Sequence, residues 1–304
     1  MFSKLSMTFS IVIPTKNRPE QLKNLFRSII SQKRLPDQII IIDQSEKNKV
    51  EKSNFLKPTI KTKLRLNYVH NVKIEGLVEA KHSAISINDC DYITFLDDDI
   101  VLEPNYLYEI EKAFHRFPNM VGVNGLIQNH PRVTFLKRLL FEITHFGNFK
   151  DDRISVIKSI KIDSNTPKKV NVLSGGLSTW RKDVFNAISF DTKNKFHAYE
   201  DKEFSMRVKK KFPESFYIIP RAKLCHYHSK LNRQNLLDRS KNDVVEIIML
   251  FKKNGNYNFL GFDFFIMLFA LLIKSIILSF KYMRVDFILN YIRGNIQGFK
   301  KQIK

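Results

Sequence analysis

Residues 9–45 read FSIVIPTKNRPEQLKNLFRSIISQKRLPDQIIIIDQS, and their pattern decides the fold. Two β-branched runs, Phe9 to Ile13 and Gln38 to Ile42, are apolar almost throughout and lack the alternation of a half-exposed strand. Each therefore predicts a strand buried on both faces of a parallel sheet. Between them Pro19 suits the first position of a helix, and Leu22, Leu25, Phe26, Ile29 and Ile30 recur at helical spacing. Strand, helix and strand make a βαβ unit, and ligands of such units gather beyond the carboxyl ends of the strands.

Outward from this unit the alternation continues. Strands are expected near Leu64 to His70, at Tyr92 to Leu96 and at Val121 to Ile127, with helices near Leu77 to Asn88 and from Pro104 to Phe117. The fold class is α/β: a mainly parallel sheet with helices on both faces. From Arg132 to Pro167 the pattern is less regular, with a basic helix around Phe135 to Phe146 and a β-rich stretch at Ile154 to Ile162. Strand-like Val170 to Leu173 leads into Ser174-Gly175-Gly176, followed by short helices and a strand at Phe216 to Ile219. After His228 three helices are expected, from about Arg233 to Lys253, over the apolar Phe259 to Phe280, and over a basic end from Tyr282 to Lys304. The expected division is a catalytic domain at 1–230, with halves at 1–128 and 129–230, and a helical appendage at 231–304.

The chain has 304 residues, 43% of them hydrophobic, enough for one large domain with an appendage. Its formal charge of +21, from 51 Lys plus Arg against 30 Asp plus Glu, favours anionic partners. The cations are scattered and follow neither zinc-finger spacing nor an aromatic-interleaved RNA signature, so no nucleic acid is expected as a partner. Cys90 and Cys225 lack metal-like spacing, which suggests a reducing compartment and no catalytic cysteine. Residues Met1 to Ser10 do not read as a secretory signal.

Two acidic clusters stand out. Asp97-Asp98-Asp99 ends a buried run, and Glu200-Asp201 opens a helix. Three adjacent carboxylates repel one another, and a helix cap would use one of them at most, so a divalent cation carrying a phosphate is the expected neighbour. Asp43, at the tip of the second strand and beside the loop after the first, could accept from the N3 hydrogen of uracil or from a ribose hydroxyl. The Gly175–Gly176 pair would let backbone approach a ligand closely, and Trp180 is expected in the core.

Four segments in order resemble the motifs of family 2 glycosyltransferases: IVIPTKNRP at 11–19, IIIDQS at 40–45, FLDDDI at 95–100 and YEDKEFSMR at 199–207. The resemblance covers roughly residues 8–228. It implies the GT-A fold, a Rossmann-like nucleotide half joined to an acceptor half, and an inverting sugar transfer from a nucleotide-sugar donor, a UDP-sugar first of all, assisted by Mg²⁺ or Mn²⁺. The acceptor it implies is a saccharide or lipid-linked saccharide, as in surface polysaccharide assembly.

Carried residue by residue, the resemblance places Thr15, Asn17 and Asp43 at the nucleoside. It gives Asp99, with Asp97, to the metal, and Asp98 to the donor's ribose or sugar. Lys81 stands where the family often has an Arg near the diphosphate, and lacks its bidentate fork. His226, ahead of His228, would serve the metal or diphosphate. Asp201 matches the base, with Glu200 orienting it or the acceptor.

A nucleotidyltransferase should carry a glycine-rich phosphate loop after the first strand, whereas Pro14 to Pro19 has no glycine. A basic protein that binds nucleic acid or membrane without catalysis is the alternative from another class. The apolar Phe259 to Phe280 is broken by Asp263 and Lys274 and followed by Lys281, Arg284, Arg293, Lys300, Lys301 and Lys304. An interfacial helix on an anionic membrane surface is the expectation, hence a cytoplasmic protein peripheral to the cytoplasmic face of the inner membrane.

Overall fold

The computed structural model describes residues 7–46, 64–130, 134–149 in part, and 150–303 apart from 161–163, 195, 230–234 and 255–260. Its elements begin with β1 (Phe9–Thr15), α1 (Pro19–Ile30), β2 (Gln38–Asp43), β3 (Arg65–His70), α2 (Leu77–Ile85) and β4 (Tyr92–Phe95). Next come β5 (Ile100–Leu102), α3 (Tyr106–Arg116), β6 (Gly122–Ile127), a 3-10 turn at Gly147–Phe149, α4 (Arg153–Ser159), β7 (Lys168–Lys169) and β8 (Ser178–Arg181). Then follow α5 (Lys182–Ala187), α6 (Glu200–Lys211), β9 (Phe216–His226), α7 (Leu236–Asn254), α8 (Phe262–Tyr282) and α9 (Asp286–Lys300).

Every residue of β1 and β2 is buried. Their side chains alternate between two apolar layers. Phe9, Ile11, Ile13, Ile39 and Ile41 pack with α1 and α3 on one face. Val12, Ile40 and Ile42 pack with α2, α5 and α6 on the other. An unbroken isoleucine run is what burial on both faces requires.

The sheet runs β3-β2-β1-β4-β8-β6-β9-β5, with β7 also on β9. Strands β3, β2, β1 and β4 are parallel, as expected. The second half makes the sheet mixed: β8 lies antiparallel between β4 and β6, and β5 and β7 are antiparallel to β9.

Three expectations are corrected in this half. The β-rich stretch at 154–162 is helix α4 over 153–159, with Val156 and Ile157 packed toward the α2 layer. Val170 to Leu173 forms no strand; the two-residue β7 precedes it. The strand foreseen at Phe216 to Ile219 runs on to His226, with a register shift against β6 after Gly125. The helix expected at 135–146 lies largely outside the described residues. The appendage is helical as expected, α7, α8 and α9 sharing a core with Phe149 and Phe196.

Candidate active site

The carboxyl ends of β1, β2 and β4 align at one edge of the sheet, because Thr15 pairs in register with Asp43 and Val12 with Phe95. At this edge Asp43 is fully buried. Its Oδ1 accepts from the Ser45 amide at 2.9 Å and its Oδ2 from the Tyr68 hydroxyl at 2.7 Å. Asn17 adopts a left-handed conformation (φ 56°) in the following loop and donates its amide hydrogen to Ser45 Oγ.

Beyond β4 the three aspartates point in different directions. Asp98 turns inward, accepting from the Thr15 hydroxyl at 2.7 Å and from Arg18 Nη1 at 3.0 Å. Burial pushes its carboxyl up to about 6 against those two bonds. Asp98 and Thr15, both expected at the donor, are thus bonded to each other beneath the site. Asp97 is the most open of the trio, its side chain 31% exposed against 4% for Asp99.

Strand β5 explains what Asp99 meets. Its antiparallel register sets Ile100 opposite His226 at the end of β9. His226 Nε2 consequently lies 2.9 Å from Asp99 Oδ1 and 3.9 Å from Asp97 Oδ2. Asp99 Oδ2 accepts from the Ser229 amide at 2.7 Å. Burial alone would raise the Asp99 carboxyl, but the His226 ring, the Ser229 amide and Arg18 hold it at about 2.

Asp97, Asp99 and His226 offer two carboxylate oxygens and an imidazole nitrogen within 4.8 Å of one another. Asp99 Oδ1 is buried and faces the His226 ring across 2.9 Å. Two hard oxygens and one nitrogen, with the Asp99 carboxylate ionised, fit a divalent metal. His228 lies tilted against His226 with ring centroids 4.0 Å apart and stands outside this group.

The second acidic cluster arrives from the other half. Glu200 Oε1 accepts from Lys81 Nζ at 2.9 Å, and Lys81 is 1% exposed, so this helix lysine is no solvated residue. Asp201 Oδ1 accepts from the Lys202 amide and its Oδ2 from Arg153 Nη1 at 2.5 Å. Arg153 also grips Asp151 with Nε and Nη2 and donates to Ser174 Oγ at 3.1 Å. Burial raises the Asp201 carboxyl while the Arg153 guanidinium lowers it. Arg153 and Arg18 touch these acidic clusters and were left unassigned by sequence reasoning.

The glycine pair joins the clusters. A β-carbon on Gly176 would overlap the Asp97 carboxylate, and the Asp97 amide donates to the Gly176 carbonyl at 2.8 Å. One on Gly175 would overlap Glu200 Oε1 and stand 2.7 Å from Lys81 Nζ. Metal-type and base-type carboxylates therefore flank one backbone segment. Trp180 is a core residue, 2% exposed, edge-on to Phe204 and Phe216.

The loop entering α6 is anchored by the appendage. Glu246 of α7 is 4% exposed and accepts from the amides of His197, Ala198 and Tyr199 at 2.8–3.0 Å. Burial outweighs these bonds and pushes its carboxyl up to about 7.

Comparison with known proteins agrees with this architecture. The chain is 26% identical to chondroitin synthase of Escherichia coli over 275 residues, 79% of this chain and 38% of that protein. It is 31% identical over 132 residues to a galactofuranosyltransferase of Mycobacterium tuberculosis, 40% of this chain and 20% of that protein. It thus spans well under half the length of both curated relatives.

Among solved structures, a mannosyltransferase from Pyrobaculum calidifontis in complex with GDP-Man and Mn²⁺ superposes with a TM-score of 0.61 and 12% identity, over 96% of this chain and 88% of that one. GalNAc-T7 with UDP, GalNAc and Mn²⁺ gives 0.59 and 16%, over 82% of this chain and 48% of that one. The shared fold is GT-A. The family model for glycosyl transferase family 2 matches residues 10–189, more than half of the chain, which therefore belongs to that family of sugar-transferring enzymes.

Proposed function

We propose that the chain moves a sugar from a nucleoside diphosphate donor, a UDP-sugar first of all, to a saccharide or lipid-linked saccharide acceptor, inverting the anomeric carbon with help from a divalent metal. The observation that carries this reading is the shared wall: Gly176 abuts Asp97 of one cluster while Gly175 abuts Glu200 of the other. A donor held at the first cluster would present its reacting carbon toward the second. The solved neighbours hold a nucleotide or nucleotide sugar together with Mn²⁺, which supports the donor class. The two relatives' names, a chondroitin synthase and a galactofuranosyltransferase, support transfer of a sugar in building a saccharide.

Asp97, Asp99 and His226 would hold the metal, Mn²⁺ or Mg²⁺, with the imidazole favouring Mn²⁺. When bound, it would neutralise the charge that develops on the departing diphosphate. Asp43 and Asn17 would border the nucleoside. Thr15 and Arg18 would fix Asp98 and so set the turn that aims its two neighbours. Lys81 places a cation beside Gly175 and orients Glu200. Asp201 would accept the acceptor hydroxyl's proton as the new bond forms, with Arg153 aiming its carboxylate.

Titrating UDP and GDP with and without Mn²⁺ tests the donor site. Wild-type protein is expected to bind nucleotide in a metal-dependent way. Asp99→Ala should weaken that binding by about 10–100-fold, a loss of roughly 1.4–2.8 kcal/mol. Nucleotide binding indifferent to both metal and substitution would overturn the metal's part, and absence of nucleotide binding would overturn the donor. Gly176→Ala is expected to push the Asp97 carboxylate aside and cost about tenfold in the same titration, again roughly 1.4 kcal/mol. Unaltered affinity there would show that Asp97 is dispensable. A panel of nucleotide sugars, assayed for metal-dependent hydrolysis, identifies the donor sugar.

A further inference from the structure

We propose that the outward faces of α8 and α9 form an in-plane docking surface for a bilayer with anionic headgroups. This goes beyond the sugar-transfer reading and stands independently of it.

Helix α8 has two apolar faces. Phe264, Met267, Leu268 and Leu271 are buried in the core shared with α7. Phe262, Phe265, Phe269, Ile273, Ile277 and Phe280 point the other way and are 41–76% exposed. These six recur every three or four residues, which confines them to a stripe about 120° wide. Helix α9 repeats the arrangement: Val285, Leu289, Ile292, Ile296 and Phe299 are 41–70% exposed, while Phe287, Gly294 and Gly298 are buried. The two helices pack together, so the exposed stripes belong to neighbouring helices and offer eleven large apolar side chains to solvent.

The rim of this surface selects the occupant. Exposed Lys281 edges the stripe of α8, exposed Arg293 and Lys300 edge that of α9, and Arg284 sits at the connection. The one acidic residue of α9, Asp286, is paired with Arg284 at 2.7 Å. Apolar side chains bordered by cations complement a bilayer with anionic headgroups, where lysine and arginine stems run along the hydrocarbon and their charges meet phosphate. The chain's charge of +21 acts in the same sense.

Helix α8 is also long and apolar enough to cross a membrane, at 21 residues. Its inner face argues for lying flat. Near its middle Lys274 forms an ion pair with Asp243 of α7 at 2.7 Å, and Asp263, Ser275 and Ser279 are buried on the protein side. Spanning would carry this charged pair into hydrocarbon, at a cost that the in-plane arrangement avoids.

Co-sedimentation of the full chain with vesicles tests the proposal, using phosphatidylcholine alone and phosphatidylcholine mixed with phosphatidylglycerol. Binding to the mixed vesicles is expected, weaker on neutral ones and weakened by salt. The triple substitution Phe265→Glu, Phe269→Glu, Ile273→Glu should lower the partition coefficient by about tenfold or more while leaving nucleotide binding unchanged. Ile292→Glu with Ile296→Glu provides an independent variant on α9 should the first fold poorly. Arg293→Glu with Lys300→Glu should erase the preference for anionic vesicles. Failure of the wild-type chain to bind either vesicle, or equal binding by both apolar-to-Glu variants, overturns the proposal. So does a wild-type dimer seen by light scattering that those variants dissolve while no vesicle binds, since a second copy would then cover the face.

Discussion

Asp201→Asn is expected to lower the turnover number for sugar transfer by about 10³-fold, within the range that general-base catalysis supplies, while nucleotide affinity stays unchanged. The substitution keeps the shape of the side chain and an oxygen to accept from the Lys202 amide, but removes the negative charge that would take the acceptor's proton. Asp201 lies in the first turn of α6, past Gly175 from the metal-type cluster, so its loss should not reach the nucleotide. A purely structural account is available, since Glu200, Asp201 and Glu203 would all complement the dipole of α6. That role is worth about 0.3–1 kcal/mol of stability and leaves the chemical step intact. Single-turnover rates with saturating donor, set beside nucleotide titrations, separate the two. Parallel loss of rate and donor affinity would move Asp201 into the donor pocket and out of the base role.

The acidic trio stood out in the sequence because its chemistry conflicts with its setting. Nothing in strand packing asks for three aspartates after Phe95-Leu96, so the cluster announces a ligand. The parallel half of the sheet was legible for a related reason: burial on both faces leaves an uninterrupted run such as Ile39 to Ile42.

Strand β8 left no such mark, because Ser178, Thr179 and Trp180 are buried with their polar atoms satisfied locally. Thr179 Oγ1 meets Thr94 Oγ1 at 3.0 Å, and Trp180 Nε1 donates to Ser178 Oγ at 2.8 Å. Polar residues that satisfy one another inside a sheet look like a loop on paper. Helix α4 was misread for the opposite reason: Ile154, Val156 and Ile157 are β-branched, yet the segment's docking against the α2 layer decides its state.

Glu246 and Arg153 were invisible as site residues, since each acts on groups far away in sequence. Glu246 reaches back 47–49 residues to three amides, and Arg153 forward 48 to Asp201. No local pattern records such a partnership. Together they tie the base-type cluster to the appendage and to the segment after the 3-10 turn, so the position of Asp201 depends on both.

Arg153→Met should therefore cost about 3–5 kcal/mol of stability, the cost of stripping a buried ion pair of one partner. The guanidinium spans Asp151, through Nε at 2.9 Å and Nη2 at 2.7 Å, and Asp201 at 2.5 Å, while being only 19% exposed. Its removal leaves two largely buried carboxylates facing a methionine, and each must then be protonated or hydrated.

The pH dependence gives a second handle. Burial by itself would raise the Asp151 carboxyl, but Arg153 brings it down to about 2, below its unfolded value near 3.8. A depressed carboxylate contributes stability that is complete above the unfolded value and lost as pH falls through the folded one. The Asp151 contribution to wild-type stability should accordingly be full at neutral pH and be lost between about pH 4 and pH 2, a loss that Arg153→Met should lack. Arg153→Lys keeps the charge without the fork that holds both Asp151 oxygens, so it should fall between the two. Thermal melts of the three proteins across that interval decide the matter. Coincident melting of wild type and Arg153→Met at neutral pH would mean that Asp151 and Asp201 are held by something other than this guanidinium, and Arg153 would lose its place in aiming the base.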